Sequence, residues 1–469
     1  MASPVVLAAV VLVGCAWLTG LLPPLFLADG VTTSKLYDQQ VSSWLQGRWD
    51  LPAGGAEPFQ IEGRNYIYFG PTPALLRLPF ASWVTVHPGK SGFPALWLAA
   101  LTALAAGLLV AYEVTGDAPR TVFVLGLLGP VLIIASRPSV YHEAIAWGAA
   151  LILLTAALIL RYRRRPSVAV LVLAALCGVL AVLAREIWLP SAAVMMALPV
   201  AAAALPRHRP FGTRIQEAIA APRPTRVGPH VAVAATAIVA VIGAPLAVHR
   251  IKFGEWGLVP PIEKHAWFGP EKVARIGGRM FHVSNLRTGL YNYLSPSSVR
   301  YDRSFPWIHS LEPRLFPETR LDGFAAFLGL PHAAGALMLL TMVGLAASLR
   351  DRSLRWPALI VLGLGLGSGA LFFFVGLCGR YIFDFLPPLA VGGALGIRAL
   401  ARHPRGRILM AGVAALAAYN AAAGAALALE HQRYLAPPPR REEVERIVRR
   451  IDDLCGAVGA ETKEVPSQP

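Results

Sequence analysis

Between residues 93 and 249 the chain passes through six apolar stretches, each close to the length of a bilayer crossing, with arginines gathered in alternate gaps. In hydrocarbon, backbone N–H and C=O groups must find partners inside their own segment or in a closed barrel. A helical crossing needs about 20 predominantly apolar residues. Runs of that kind lie near 5–27, 93–112, 119–136, 141–161, 168–184, 189–206, 231–249, 331–349, 356–375, 382–400 and 408–429, about eleven by that criterion. The expected fold class is therefore an all-α polytopic membrane protein, with two large extracytoplasmic loops that contain short helices. Composition agrees: 55% of the 469 residues are hydrophobic and 15% charged, against about 25% charged in soluble proteins.

Arginine placement sets the expected orientation. "RYRRR" at 161–165, Arg207, Arg209, Arg214, Arg223 and Arg226, "LRDRSLR" at 349–355 and "RHPRGR" at 402–407 all fall on one side, the cytoplasm by the positive-inside rule. The formal charge of +16 is thus accounted for by cytoplasmic loops and calls for no nucleic-acid partner. The N-terminus is expected inside and the tail after Leu429 outside, with Arg433, Arg440 and Arg441 pulling slightly against the latter. "LVGC" at 12–15 lacks a preceding positive charge and sits in a continuing apolar run, so it reads as part of an uncleaved first span. The four scattered cysteines form no metal-ligand pair; Cys378 and Cys455 share the expected outer side, and sequence alone does not join them.

Residues 1–429 read as one transmembrane module with outer loops at 28–92 and 250–330. The remainder, 430–469, reads as an extracytoplasmic tail with a short amphipathic helix, because Val444, Ile447, Val448, Ile451 and Leu454 follow helical spacing. The segment 72–86, "TPALLRLPFASWVTV", is too short to cross, carries Arg77 and contains two prolines; it is expected to be interfacial or re-entrant.

Ionisable residues gather at the outer span ends. "RPSVYHEAIAWG" at 137–148 places Arg137, His142 and Glu143 there; Arg185 and Glu186 occupy the next short outer turn; "CGRYIFD" at 378–384 supplies Arg380 and Asp384. Each turn brings one arginine and one carboxylate to the same depth. A snorkelling helix-end ion pair accounts for any one of them, whereas three such turns point to a site. No charged residue lies near the middle of a span, which disfavours an ion-coupled transporter. In the first loop, 34–52 reads as a short helix with Leu36, Tyr37, Val41, Trp44 and Leu45 on one face and Asp38 at its edge; Asp50 follows. "EGRNYIYFGPTPALLRLPF" at 62–80 adds Tyr66 and Tyr68, which suit either a site or an interfacial aromatic belt. His265, His282 and His309 lack metal-ligand spacing.

On these features the chain resembles the C-type glycosyltransferase (GT-C) superfamily, in the bacterial form that uses polyprenyl-phosphate sugars. The resemblance rests on Asp38 on a juxtamembrane helix of a large first outer loop, Glu143 at the junction of the third and fourth spans, the large loop after the seventh span, and "YFGPTPALLRLP". It departs where many members carry an acidic doublet close to the first span; here Asp29 is followed by Gly30. The resemblance implies a glycosyltransferase of the bacterial plasma membrane moving a hexose or pentose from a polyprenyl-phosphate donor to an extracytoplasmic glycan, lipid or protein acceptor. Asp38 and Glu143 are the implied catalytic carboxylates, with Asp29 and Asp50 behind them. Arg137, His142, Arg185, Glu186, Arg380, Asp384, Tyr66 and Tyr68 are the implied substrate-binding residues. No cofactor is required, although some relatives hold a divalent metal beside an acidic pair. A flippase or transporter, and a noncatalytic lipid-binding subunit, are the alternatives.

Overall fold

A computed structural model describes residues 35–52, 59–116, 121–136, 139–204, 227–265, 268–324, 327–435 and 438–454. The expected first span, Asp29, Arg137 and Cys455 lie outside them. The chain is an all-α polytopic membrane protein. Among the described residues, seven helices are long and apolar enough to cross a bilayer, and three shorter apolar ones, Thr121–Ala135, Val168–Ala184 and Glu186–Ala201, accompany them.

In chain order the helices are α1 (Lys35–Leu45), α2 (Thr72–Leu75), α3 (Ala81–Val86), α4 (Gly92–Thr115), α5 (Thr121–Ala135), α6 (Val140–Arg164), α7 (Val168–Ala184), α8 (Leu189–Ala204), α9 (Val227–Phe253), α10 (Pro270–Arg275), α11 (Leu286–Leu294), α12 (Leu330–Arg350), α13 (Arg355–Gly369), α14 (Leu386–Ala401), α15 (Gly406–Leu435) and α16 (Pro438–Leu454). The α6 helix is the axis of the bundle, buried along almost its whole length and packed against α4 and α7. Its Ala and Gly residues, from Ala144 through Ala157, let neighbours approach closely, as packing in lipid requires. A side chain at Gly148 would meet Arg185 and Trp188 at 3.0–3.1 Å, so this glycine admits the turn after α7 against the axis. By contrast Leu98, Leu101, Leu173, Leu176, Val239, Ile242, Met342, Leu362 and Ile408 are exposed on outer helix faces, where hydrocarbon is their suitable solvent.

Two loops close one end of the bundle. The first contains an antiparallel hairpin, Phe59–Ile61 with Arg64–Tyr66, followed by α2 and α3. Phe59 bridges to His265 of the second loop, and Tyr68 packs on both, so the loops form one cap. As expected, 72–86 does not cross: α2 and α3 flank a 3-10 turn at Leu78–Phe80, and Phe80, Trp83 and Val86 remain exposed, a face suited to lipid. A second hairpin, Val299–Tyr301 with Ile308–Ser310, lies in the second loop. It is tied to α15 by Glu430, which accepts from Ser310 at 2.9 Å and contacts His309 Nδ1 at 2.9 Å. The expected tail helix is present as α16, with Val448 buried and Arg446, Arg449 and Arg450 exposed.

One helix-face expectation fails. Tyr37 and Val41 of α1 are buried, but Leu45 is 61% exposed. The buried stripe instead runs through Leu36, Tyr37, Asp38, Gln40, Val41 and Ser43, because the partners of α1 are polar as well as apolar.

Candidate active site

The α6 helix begins at Ser139, whose extended backbone and side-chain oxygen cap the helix by accepting from the His142 N–H at 3.3 Å. The same hydroxyl contacts His142 Nδ1 at 2.7 Å. Capping fixes the first turn, so Glu143 stands in the favourable field of the helix N-terminus. Glu143 is fully buried, Asp38 is 1% exposed and Arg77 4%.

Those three residues form a clasp. Arg77 stands between the acids, with Nε 3.0 Å from Asp38 Oδ1 and Nη2 donating to Glu143 Oε2 at 2.6 Å. It also donates to Ser91 Oγ at 2.6 Å and to the Pro73 carbonyl at 2.9 Å. Asp38 accepts further from the Gly89 N–H at 2.6 Å and from the Ser91 hydroxyl. The ring of Tyr37 lies 5.3 Å from the guanidinium. Both oxygens of Asp38 are thus engaged, whereas Glu143 Oε1 has no hydrogen-bond donor among the described residues. Removing Arg77 would strand two buried carboxylates, a loss of about 3–5 kcal/mol.

A second array adjoins it. Arg185 Nη2 lies 2.9 Å from Asp384 Oδ2, a close ion pair without an aligned hydrogen bond. Tyr381 lies between two cations: its ring centroid is 5.2 Å from Arg185 and 5.2 Å from Arg380. Arg380 also lies 4.6 Å from the Tyr141 ring. Arg380 is half-buried, and its Nε has no acceptor among the described residues. Glu186 is a third exposed on its side chain, with His249 Nε2 at 3.5 Å. One helical turn further along α9, Lys252 donates to the carbonyls of Ile67 and Phe69 at 3.2 and 2.7 Å. Gly70 follows that strand of carbonyls and packs so closely on the Leu183 backbone that any side chain would clash.

Among the described residues, the carboxylates of the short outer turns take partners outside their own turn. Glu143 pairs with Arg77, Arg185 with Asp384, and Glu186 approaches His249; each link crosses between elements. Tyr68 faces the array through Phe69, itself 5.0 Å from Tyr141. Tyr66 sits a layer away, buried with Phe59 and Phe253 in the cap. Asp50 stays near the surface, 3.4 Å from Arg48. Sequence reasoning treated Arg77 only as an obstacle to a span. The signal was there: a lone cation in "TPALLRLPF", with two acids elsewhere that burial would oblige to find a partner. Lys252 and Ser91 belong to no motif, and Tyr141, inside "RPSVYHEAIAWG", is not among the implied substrate-binding residues.

With Arg77 in place the clasp has no room for a metal ion. The room between the two acids is taken by the guanidinium, and no group of three His, Cys, Asp or Glu side chains suited to a metal occurs among the described residues.

No family model and no curated protein matches the chain. Solved structures do. The apo oligosaccharyltransferase of Archaeoglobus fulgidus aligns at 16% identity and a TM-score of 0.46, covering 98% of this chain and 61% of that one. The archaeal oligosaccharyltransferase AglB from the same organism, in complex with an inhibitory peptide and a dolichol-phosphate, aligns at 15% identity and TM-score 0.45, with the same coverage. The chain spans about three fifths of the length of these structures.

Proposed function

We propose that the chain is a membrane glycosyltransferase of GT-C type that moves a sugar from a polyprenyl-phosphate donor to an extracytoplasmic glycan, lipid or protein acceptor. The observation that carries this is Arg380: a half-buried guanidinium at a span end, flanked by Tyr141 and Tyr381, whose buried Nε has no acceptor among the described residues. Arg's planar fork suits a phosphate oxygen pair, and this depth is where a lipid phosphate rests while its tail stays in hydrocarbon. Arg185 supports the same oxygens from behind Tyr381, and Glu186 offers a partly exposed carboxylate for sugar hydroxyls.

In the transfer, the acceptor O–H gives its proton to a carboxylate, the acceptor oxygen bonds the anomeric carbon, and the sugar–phosphate bond breaks with its electron pair on the phosphate. Of the two expected bases, Glu143 is the better placed, because its Oε1 is open while both Asp38 oxygens already accept hydrogen bonds. Asp38 then acts by positioning Arg77. Glu143 is buried, so transfer requires the loop above it to move. That burial, shared by Asp38 and Asp384, also favours the second reading: a noncatalytic subunit that binds a lipid phosphate.

The test supplies membranes with a panel of radiolabelled polyprenyl-phosphate sugars and measures donor binding and label transfer. Arg380→Gln is expected to weaken donor binding by about 10- to 100-fold, the loss of a charge-assisted contact. Glu143→Gln should bind the donor and transfer none of it. Donor binding by the wild type without transfer would select the subunit reading, and neither binding nor transfer would sink both.

A further inference from the structure

The clasp has the composition of a cation site that a side chain already fills. Around Arg77 stand the carboxylates of Asp38 and Glu143, the Ser91 hydroxyl and the Pro73 carbonyl. These are oxygen donors only, the set that Mg²⁺ or Mn²⁺ takes, commonly with one or two carboxylates and water completing the shell. The two acids arrive from separate elements, Asp38 from α1 and Glu143 from α6, and the cation between them links those elements beside their apolar packing.

We infer that Arg77 is the resident cation of the Asp38–Glu143 pair, a positioning residue in the place between two carboxylates that a divalent ion would otherwise occupy. A guanidinium in that place differs from a metal in three ways. It cannot dissociate or be chelated. It brings one positive charge, so the clasp keeps a net negative charge. It also saturates Glu143 at one oxygen and leaves the other open. The inference stands on the clasp's geometry and does not depend on glycosyl transfer, because cation binding is read without substrate.

The experiment uses the full chain in lipid nanodiscs, with bound Mn²⁺ read by electron paramagnetic resonance and the thermal midpoint measured with and without Mn²⁺. The wild type should hold no stoichiometric Mn²⁺, and Mn²⁺ should leave its midpoint unmoved. Arg77→Ala should lower the midpoint by on the order of 10 °C, from the two stranded acids. Millimolar Mn²⁺ should recover part of that loss with one ion bound per chain, and adding Asp38→Asn should abolish the recovery. Arg77→Lys, which keeps a cation, should fold and bind no Mn²⁺. A wild-type protein that binds one Mn²⁺ and releases it on Asp38→Asn would overturn the inference, as would a folded Arg77→Ala protein that takes up no ion. If Arg77→Ala cannot be purified, the comparison of wild type with Asp38→Asn decides alone.

Discussion

His265 carries a consequence of burial that a pH titration can read. Its ring lies 4.7 Å from Phe59, 5.3 Å from Tyr68 and 5.2 Å from Phe268, edge to face, and the residue is 5% exposed. Burial in that aromatic cage lowers its pKa from 6.5 to about 4. A lowered histidine pKa means the folded protein binds fewer protons than the unfolded chain. Above pH 6.5 both are neutral and nothing is lost; between pH 6.5 and 4 the unfolded chain is protonated and the cap is penalised, by up to about 3 kcal/mol at the acid end. Melting curves taken from pH 7 to pH 4 should show this decline, and His265→Phe should flatten it; an unchanged slope in that variant would remove His265 as the source. The residue scale is also where sequence was least informative. Chain position showed which ionisable groups share a membrane depth, and the structure gathers Glu143, Arg185, Arg380 and Asp384 at one end. Partner choice was not legible, because Arg77–Glu143 and Arg185–Asp384 link residues 66 and 199 positions apart, and depth along the membrane carries no information about rotation around a helix axis.

At the scale of elements, the apolar runs fixed the helices within a few residues: 93–112 became Gly92–Thr115, and 141–161 became Val140–Arg164. Backbone satisfaction in lipid leaves such a run little choice. Two spans depart, and both have local causes. The run at 356–375 ends as a regular helix at Gly369, where "GSGALFFFVG" turns through a 3-10 segment into a short strand, Gly376–Leu377, paired in parallel with Gly323–Phe324. The run at 382–400 starts in a 3-10 stretch, Gly379–Phe385, and becomes α-helical only where Pro387 and Pro388 stand at the N-terminus of α14, positions at which a missing N–H costs nothing. Close helix contact depends on a glycine in α5. A Cβ on Gly129 would overlap the Ala333 carbonyl of α12 and lie 2.8 Å from the Asn420 carbonyl of α15, and Gly424, one turn further along α15, packs on the Gly129 backbone. Gly129→Ala is therefore expected to destabilise by about 3 kcal/mol through overpacking. Gly243→Ala, where a Cβ meets nothing within 4 Å, should be neutral or stabilising by up to about 1 kcal/mol. Thermal unfolding in detergent compares the two; equal midpoints would mean that the α5–α12–α15 contact is not tight.

Over the whole molecule, charge divides between the two ends of α6, whose 25 residues span about 37 Å. At the end opposite the clasp, Glu113 is held by Arg161 at 3.5 Å and Arg164 at 3.4 Å, and Arg402 pairs with Asp351. These are the arginine-rich turns that the positive-inside rule assigns to the cytoplasm. The tail was the doubtful assignment, since its own arginines argued for the cytoplasmic side. The structure brings it to the other end: the Phe305 N–H, beside the second hairpin, donates to Asp452 of α16 at 2.5 Å, and Glu430 joins that hairpin to the end of α15. A helix bonded to the second loop must share its side of the membrane. In a cysteine-free background, Arg303→Cys and Arg449→Cys, both at exposed positions, should therefore react with a membrane-impermeant maleimide added to intact cells. Arg405→Cys, exposed among the arginine-rich turns, should react only after the membrane is opened. Labelling of Arg449→Cys together with Arg405→Cys would place the tail with the arginines and break its contact with the second loop. Labelling of Arg303→Cys with Arg449→Cys from within, and Arg405→Cys from outside, would keep the architecture but invert it, putting the clasp and Arg380 at the cytoplasmic face and the proposed donor in the other leaflet.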